Sequence, residues 1–399
     1  MIKELTMEKN TYLNNWEEVA LGQLCKLTRG HNPPKSKFIH EPRENYVRFY
    51  QIRDGWSDKH IVFVPNTPQL HKVEPTDMLM VAYRHIGRVF RGVEGAFNVA
   101  LCKISNTSRE KLDDDFLFYM IPTDIIKGEL MKRSERSLIP SMSVNHLKEI
   151  TIPLPPLAQQ KQIVAILDKA FAAIDTAKAN AEQNLQNTKE LFESYLQNVF
   201  ENKDDNWEEK TIGDLGKPSM CKRILKQQTS SDGDIPFYKI GTFGKTPNAF
   251  ISKELYNEYK TKYSFPKKGD ILLSASGTIG RRVIYDGKPA FFQDSNIVWI
   301  DNDEKQVLNE YLYNFYGFCD WNPSKGATIS RLYNANLKRI KITFPKSLEE
   351  QKIVIQKIEV LSNKTKKLEA IYTQKIADLE EMKKSVLQKA FSGQLNTIN

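Results

Sequence analysis

A chain that writes one construction twice is bound to fold into two similar units, and here the two copies stand 188 to 193 residues apart. NNWEEVALGQL at 14–24 returns as DNWEEKTIGDL at 205–215, so Trp16, Gly22 and Leu24 lie 191 positions before Trp207, Gly213 and Leu215. FYQIR at 49–53 returns as FYKIG at 237–241 with an offset of 188. Asp77, Ile86 and Gly87 match Asp270, Ile279 and Gly280 at 193. At the end of each copy the offset is again 191, where Gln160, Lys161 and Phe200 match Gln351, Lys352 and Phe391. A repeat this long is a duplicated domain plus helix, not a solenoid unit. Two such modules suit a target that itself has two parts.

The repeat divides the chain into a globular domain at 1–156, a helical segment at 157–201, a second globular domain at 202–345 and a second helical segment at 346–399. Each globular part is long enough to bury its own core. The fold class expected is α+β, with two similar mixed domains, each followed by a long helix. No window approaches ~18 consecutive apolar residues, so no membrane span is expected. The first fifteen residues mix both charge signs without an apolar run, which is unlike a secretory signal, so a cytoplasmic chain is expected. Cys25, Cys102, Cys221 and Cys319 are scattered with no CxxC pair, which argues against a disulfide framework and against a zinc site.

The helical segments carry the clearest periodicity. Pro153, Pro155 and Pro156 precede the first, while Ser347 with Glu350 forms a capping-box pattern before the second and Gly393 supplies a stop. Apolar residues recur at alternating steps of four and three. In the first segment they fall at Ile163, Leu167, Ala170, Ile174, Ala177, Ala181, Asn184, Thr188, Leu191 and Tyr195. In the second they fall at Val354, Ile358, Leu361, Thr365, Leu368, Tyr372, Lys375, Leu379, Met382 and Val386, each 191 residues on. Eight of ten positions are apolar in each set, the pattern of a coiled-coil seam. The natural partner of each seam is the other, paired antiparallel after the chain returns through the second domain. Helices of this length span about 65 Å, which makes a rod and not a core element. Homodimerisation through the same seams is the alternative.

The net charge of +9 is spread as +3, −2, +5 and +3 over the four segments, so the globular parts carry most of the excess. That bias fits a polyanion such as DNA without requiring one. Motifs for chemistry fail on inspection. Asn32-Pro33-Pro34 shares three residues with the catalytic tetrapeptide of adenine methyltransferases, but Lys35 replaces the stacking aromatic and no glycine-rich cofactor loop precedes it. GTFGKT at 241–246 lacks the Walker A spacing, with Lys239 where the first glycine belongs. SASGTIG at 274–280 lacks dinucleotide spacing and reads as a turn. All six histidines lie between His31 and His146, so a duplicated acid–base or metal site built on histidine would be missing from the second copy. The sequence reads as non-catalytic.

Several segments in order resemble the specificity subunits of type I restriction-modification systems. They are the W-x-x-x-x-x-G-x-L openings at Trp16 and Trp207, IPLPPLAQQKQIVAILD at 152–168, GDILLSASGTIGR at 269–281 and LQKAFSGQL at 387–395. The first half departs from the pattern, with AYRHIGR at 82–88 in place of SASGTIGR. The resemblance implies two target-recognition domains, each reading one half of a bipartite, asymmetric site on double-stranded DNA, with the helices fixing the spacer. It implies docking of two methyltransferase subunits, which supply S-adenosylmethionine, and of endonuclease subunits, which supply ATP and Mg. This chain itself would bind no cofactor and no metal. A standalone DNA enzyme and a scaffold with helical arms are the competing readings.

Candidate DNA contacts follow from chemistry, since Arg and Lys bond guanine edges, Asn and Gln bond adenine edges, and phosphates accept from all of these donors. In the first domain they are Lys35, Lys37, Arg84, His85, Arg88, Arg133 and Arg136. In the second they are Lys222, Arg223, Lys226, Arg281, Arg282, Lys325 and Arg331. All sit near turns marked by glycine, proline or serine. Trp16 and Trp207 open each domain without basic neighbours and are expected in the cores.

Overall fold

The computed structural model describes residues 16–134, 142–201, 206–321 and 331–392. The chain forms two compact units. Met1–Ala181 joins Lys375–Asn399 in the first, and Glu182–Gln374 makes the second.

The first unit contains a four-stranded antiparallel sheet in the order Cys25–Arg29, Leu101–Asn106, Met78–Val81, Val89–Arg91. A second sheet runs Phe63–Pro65, Tyr46–Tyr50, Gly95–Phe97, Lys72–Val73, with the middle pair parallel. Every residue of Met78–Val81 is buried, as expected for a central strand covered on both faces. The opening strand Glu17–Ala20 pairs with Thr151–Leu154 just before the first long helix.

The second unit repeats this plan. Its four-stranded sheet runs Gly216–Ser219, Ile297–Asn302, Ile271–Ser274, Arg282–Ile284, and Trp207–Thr211 pairs with Lys341–Pro345. Its smaller sheet has three strands, Phe250–Ile251, Ile235–Tyr238 and Phe291–Phe292, again with one parallel pair. The units diverge after Phe250–Ile251. There the second unit has a ten-residue helix, Lys253–Lys262, whereas the first unit has no helix between Phe63–Pro65 and Lys72–Val73. Ser252 caps that helix through Leu255 N.

The residues of the repeat are framework residues. A Cβ on Gly22 would come within 2.7 Å of Lys148 Cβ, and one on Gly213 within 3.0 Å of Lys338 Cβ, so each opening glycine lets a short helix press against its unit. Trp16 packs against the first core, and Trp207 is half-buried in its strand. Cys25 and Cys102 are buried and free, and burial pushes their thiols up to about 12 and about 11.

The long helices are Leu157–Glu201 and Leu348–Phe391. The first starts on Pro156, whose carbonyl accepts from Gln159 and Gln160. At the second, Ser347 Oγ accepts from Glu350 N at 3.4 Å. Gly393 lies outside the described residues. Each unit is completed by both helices. In the first unit Ile163, Leu167, Phe171 and Ile174 share a core with Ala390 and Phe391, and in the second Leu196 and Phe200 share one with Ile355 and Ile358. Within the first unit Lys178 meets Glu380 at 2.7 Å and Asp175 meets Lys383 at 2.7 Å. Three residues back along one helix is three forward along the other, so they pair antiparallel.

The phase of the seam differs from the sequence expectation at alternate positions. Leu191, Leu368 and Met382 are 55%, 39% and 51% exposed, and Asn184 and Lys375 are exposed too. The inward stripe instead takes the next residue at those steps, Phe171, Lys178, Leu185 and Phe192 on the first helix and Ser362, Glu369, Ile376 and Lys383 on the second. Ile163, Leu167, Ile174, Ile358 and Thr365 are buried, and Tyr195, Val354, Leu361, Tyr372, Leu379 and Val386 are half-buried. The shifted positions of the second helix still follow those of the first by 191 residues. Three of them are charged, and two of these sit beside ions or rings: Lys178 meets Glu380, while Lys383 meets Asp175 and lies 4.9 Å from the Phe171 ring. An apolar search therefore selects their neighbours.

Candidate nucleic-acid interface

A turn whose sequence differs between the copies, AYRHIGR against ASGTIGR, is built on the same hydrogen bonds. In the first unit Val81 N donates to Arg88 O at 2.8 Å, Gly87 N to Val81 O at 3.1 Å and Ala82 N to Ala100 O at 2.9 Å. In the second, Ser274 N donates to Arg281 O at 2.8 Å, Gly280 N to Ser274 O at 3.1 Å and Ala275 N to Asn296 O at 2.8 Å. Gly87 and Gly280 close the turns at φ of 84° and 82°. Arg84 and Gly277 occupy the same place, both left-handed at 63° and 68°. An arginine is strained there where a glycine is not. Its side chain is exposed, with its guanidinium 5.6 Å from the Tyr83 ring.

His85 and Arg88 are exposed on the same turn, and Arg88 lies 3.8 Å over Trp56, itself 45% exposed. Lys35 and Lys37 are exposed on a single 3-10 turn. The adjoining Asn32-Pro33-Pro34 is a brace, because Asn32 Oδ1 accepts from Val99 N at 3.2 Å. Arg133 belongs to the helix Asp124–Ser134, but its side chain, like Arg136 and Lys325, lies outside the described residues.

In the second unit Arg223, Lys226 and Arg331 come together around a cavity of 340 Å³. Lys239, Gln293, Asp294 and Asn296 line it with them. Asp294 accepts from Arg223 Nε at 2.9 Å, whereas Lys226, Lys239 and Arg331 have no ion pair among the described residues. Sequence reasoning missed Lys239, Gln293 and Asn296. The signal was present in the repeat, since Lys239 follows the shared Phe-Tyr pair, and Gln293 follows Phe292 as Asn98 follows Phe97. In the first unit the place of Lys239 is taken by Gln51, whose buried Nε2 has no partner among the described residues.

Lys222, Arg281 and Arg282, the other described candidates of the second unit, do not line this cavity. Lys222 lies 4.7 Å over Tyr263. Arg281 is half-buried and donates to Phe243 O at 3.0 Å, which fixes the 241–246 turn. Arg282 stacks 4.6 Å from the Tyr313 ring and packs against Gly317, with its Nε buried and unbonded. These two arginines are occupied in holding the unit together. Among the described residues no group of three or more His, Cys, Asp or Glu could hold a metal ion, and no helix is long and apolar enough to cross a membrane.

The sequence matches the family described as Type I restriction modification DNA specificity domain twice, over residues 14–187 and 204–380. It is 50% identical over 261 residues to a Haemophilus influenzae protein named as a type I restriction enzyme specificity subunit, S.HindORF215P. That match covers 64% of this chain and 66% of the relative, a little under two thirds of its length. It is 22% identical to the type I restriction enzyme EcoBI specificity subunit of Escherichia coli, over 96% of this chain and 86% of that one. Among solved structures, a chain from the type I R-M system described for its complex assembly and conformational transition superposes with a TM-score of 0.74 at 19% identity, covering 96% of this chain and 99% of that chain. The HsdS subunit from Thermoanaerobacter tengcongensis gives 0.60 at 18% identity, covering 96% and 98%. These structures share the fold.

Proposed function

The chain belongs to the type I restriction modification DNA specificity family, and on that premise we propose that it chooses the DNA site of a type I restriction-modification complex. It is the specificity subunit and does no chemistry of its own. Each unit reads one half of a bipartite site on double-stranded DNA, in the cytoplasm, and the two long helices set the length of the unread spacer. Two methyltransferase subunits dock on it and bring S-adenosylmethionine, while endonuclease subunits bring ATP and Mg. The observation that carries this reading is a shared framework with unshared projections. The turns at 82–88 and 275–281 have matching backbone bonds, yet one presents Arg84 where the other has Gly277, and Gln51 of the first unit holds the place that Lys239 takes in the second. Two readers built alike with different side chains fit two unlike half-sites, hence an asymmetric sequence.

Docking is supported by the second long helix. Within the second unit it leaves Ile353, Val360, Leu368 and Ile371 between 39% and 59% exposed, which is unusual company for a solvated face. The basic candidate residues Lys35, Lys37, Arg84, His85, Arg88, Lys222, Arg223, Lys226 and Arg331 are exposed and available to phosphates and base edges. The test is a genome-wide map of methyladenine in cells carrying the methyltransferase partner with and without this chain. A split, non-palindromic motif that disappears with the chain is the expected result. A methylation pattern indifferent to the chain overturns the reading.

A further inference from the structure

The cavity of the second unit sorts its polar groups in a way that phosphate binding does not require. Gln293 Oε1 is committed to Ile240 N at 2.9 Å, and Asn296 Oδ1 to Ser276 Oγ at 2.7 Å. Each amide oxygen is thus anchored to the framework, and the NH2 group is the end of each side chain that bonds nothing among the described residues. An amide anchored through its oxygen is turned to present its NH2 group, whereas bidentate bonding to adenine needs oxygen and NH2 side by side. Arg331 and Lys239 add further donors. A single carboxylate faces them. Asp294 takes Arg223 Nε at 2.9 Å and the Ser295 hydroxyl at 3.4 Å, both on Oδ2, so Oδ1 accepts nothing from the described residues. Ser295 beside it is left-handed at φ 58°, a conformation held by the loop.

Donors next to one carboxylate oxygen complement the major-groove edge of one base pair. Guanine presents N7 and O6, both acceptors, and its cytosine presents the N4 donor, whereas an A·T edge alternates acceptor, donor, acceptor and ends in a methyl group. A carboxylate inside the cavity also opposes a phosphate group. We propose that the half-site read by the second unit contains a G·C pair, with Gln293, Asn296 and Arg331 donating to guanine and Asp294 accepting from cytosine N4. The inference rests on the proposed function.

The experiment is a methyladenine map with the complete set of partner subunits and the full-length chain, comparing the parent with Gln293→Ala and with the isosteric Asp294→Asn. Both variants are expected to lose discrimination at a G·C position of one half-site by about ten-fold, the scale of one base-edge contact, while the other half-site keeps its sequence. That unaltered half-site shows that the chain is folded and assembled. Equal weakening at all sequences identifies a phosphate contact and overturns the proposal, as does a change confined to A·T positions or an unchanged motif. A parent chain that directs no motif at all is a different failure, and it falls on the proposed function.

Discussion

Gln160 and Gln351, 191 residues apart, make the same three hydrogen bonds in the two units. Gln160 Oε1 accepts from Asp113 N at 2.8 Å, and its Nε2 donates to the Lys111 and Pro155 carbonyls, each at 2.7 Å. Gln351 Oε1 accepts from Leu308 N at 2.9 Å, and its Nε2 donates to the Gln306 and Pro345 carbonyls, each at 2.8 Å. Both side chains are fully buried. Each ties the first turn of a long helix to the loop before the helix at Asp114–Met120 or Asn309–Phe315. Replacing either with alanine strands a buried amide and two carbonyls. The expected cost is about 1–3 kcal/mol, read as faster hydrogen exchange in the unit that carries the substitution.

Phe391 and Phe200 hold corresponding places at the ends of the two helices. Phe391 is buried in the core of the first unit, 5.1 Å from the Phe116 ring, and Phe200 packs 5.5 Å from Tyr311 and 5.6 Å from Phe315 in the second. The first unit thus depends on the last turns of the second helix. Phe391→Ala is expected to destabilise that unit by about 3–5 kcal/mol. Limited proteolysis should then cut within 16–134 before it cuts within 206–321.

Asp77 and Asp270 each close a turn by accepting from Glu74 N at 3.0 Å and Lys267 N at 2.7 Å. Their titrations part because of what lies beside them. Burial tends to lift Asp77, but hydrogen bonds from Ser105, Glu74 N and Lys103 outweigh it and hold the carboxyl below its usual range. Burial lifts Asp270 above that range despite the Lys267 amide. Counted from the matching Asn106 and Asn302, the place of Lys103 is taken by Trp299. The Asp77 contribution is complete above the unfolded pKa of ~3.9 and is lost as pH falls through its depressed folded value. The Asp270 contribution is complete below ~3.9 and is lost as pH rises through its raised folded value. Asp77→Asn should therefore weaken hydrogen-exchange protection in the first unit at pH 7 and lose that effect in acid. Asp270→Asn should leave protection in the second unit at pH 7 unchanged or improved.

Arg84 is strained where Gly277 is at ease. Arg84→Gly removes a left-handed arginine, worth about 1 kcal/mol of backbone strain, while the matching turn shows that glycine fits the same bonds. The expected outcome is a first unit as stable as the parent or more so, measured by thermal unfolding. Methylation at the half-site read by that unit should nevertheless fall. A parallel loss of stability would show that the arginine supports the turn instead of projecting from it.

The repeat made the framework legible, because Gly22, Asp77, Gln160 and their counterparts serve backbone geometry that both copies need. The seam was legible in period but not in phase. Its stripe includes Lys178 and Lys383, which are paired with Glu380 and Asp175 across the helices, and a search for apolar residues passes them over. The cavity was only half legible. Arg223, Lys226 and Arg331 announce themselves as charges near turns, whereas Gln293 and Asn296 are recruited by a fold that brings the segment after Phe292 beside residues more than sixty positions earlier. No local pattern encodes that proximity.

In the proposed function the duplicated helices set geometry while the domains set sequence. That division is tested most directly by inserting seven residues near Asn184 together with a matched seven near Lys375, then mapping methyladenine in cells that carry the partner subunits. Two inserted turns, about 10 Å of helix, keep the heptad phase. The account predicts a longer spacer between two unchanged half-sites. Altered half-sites with the parent spacer would contradict it.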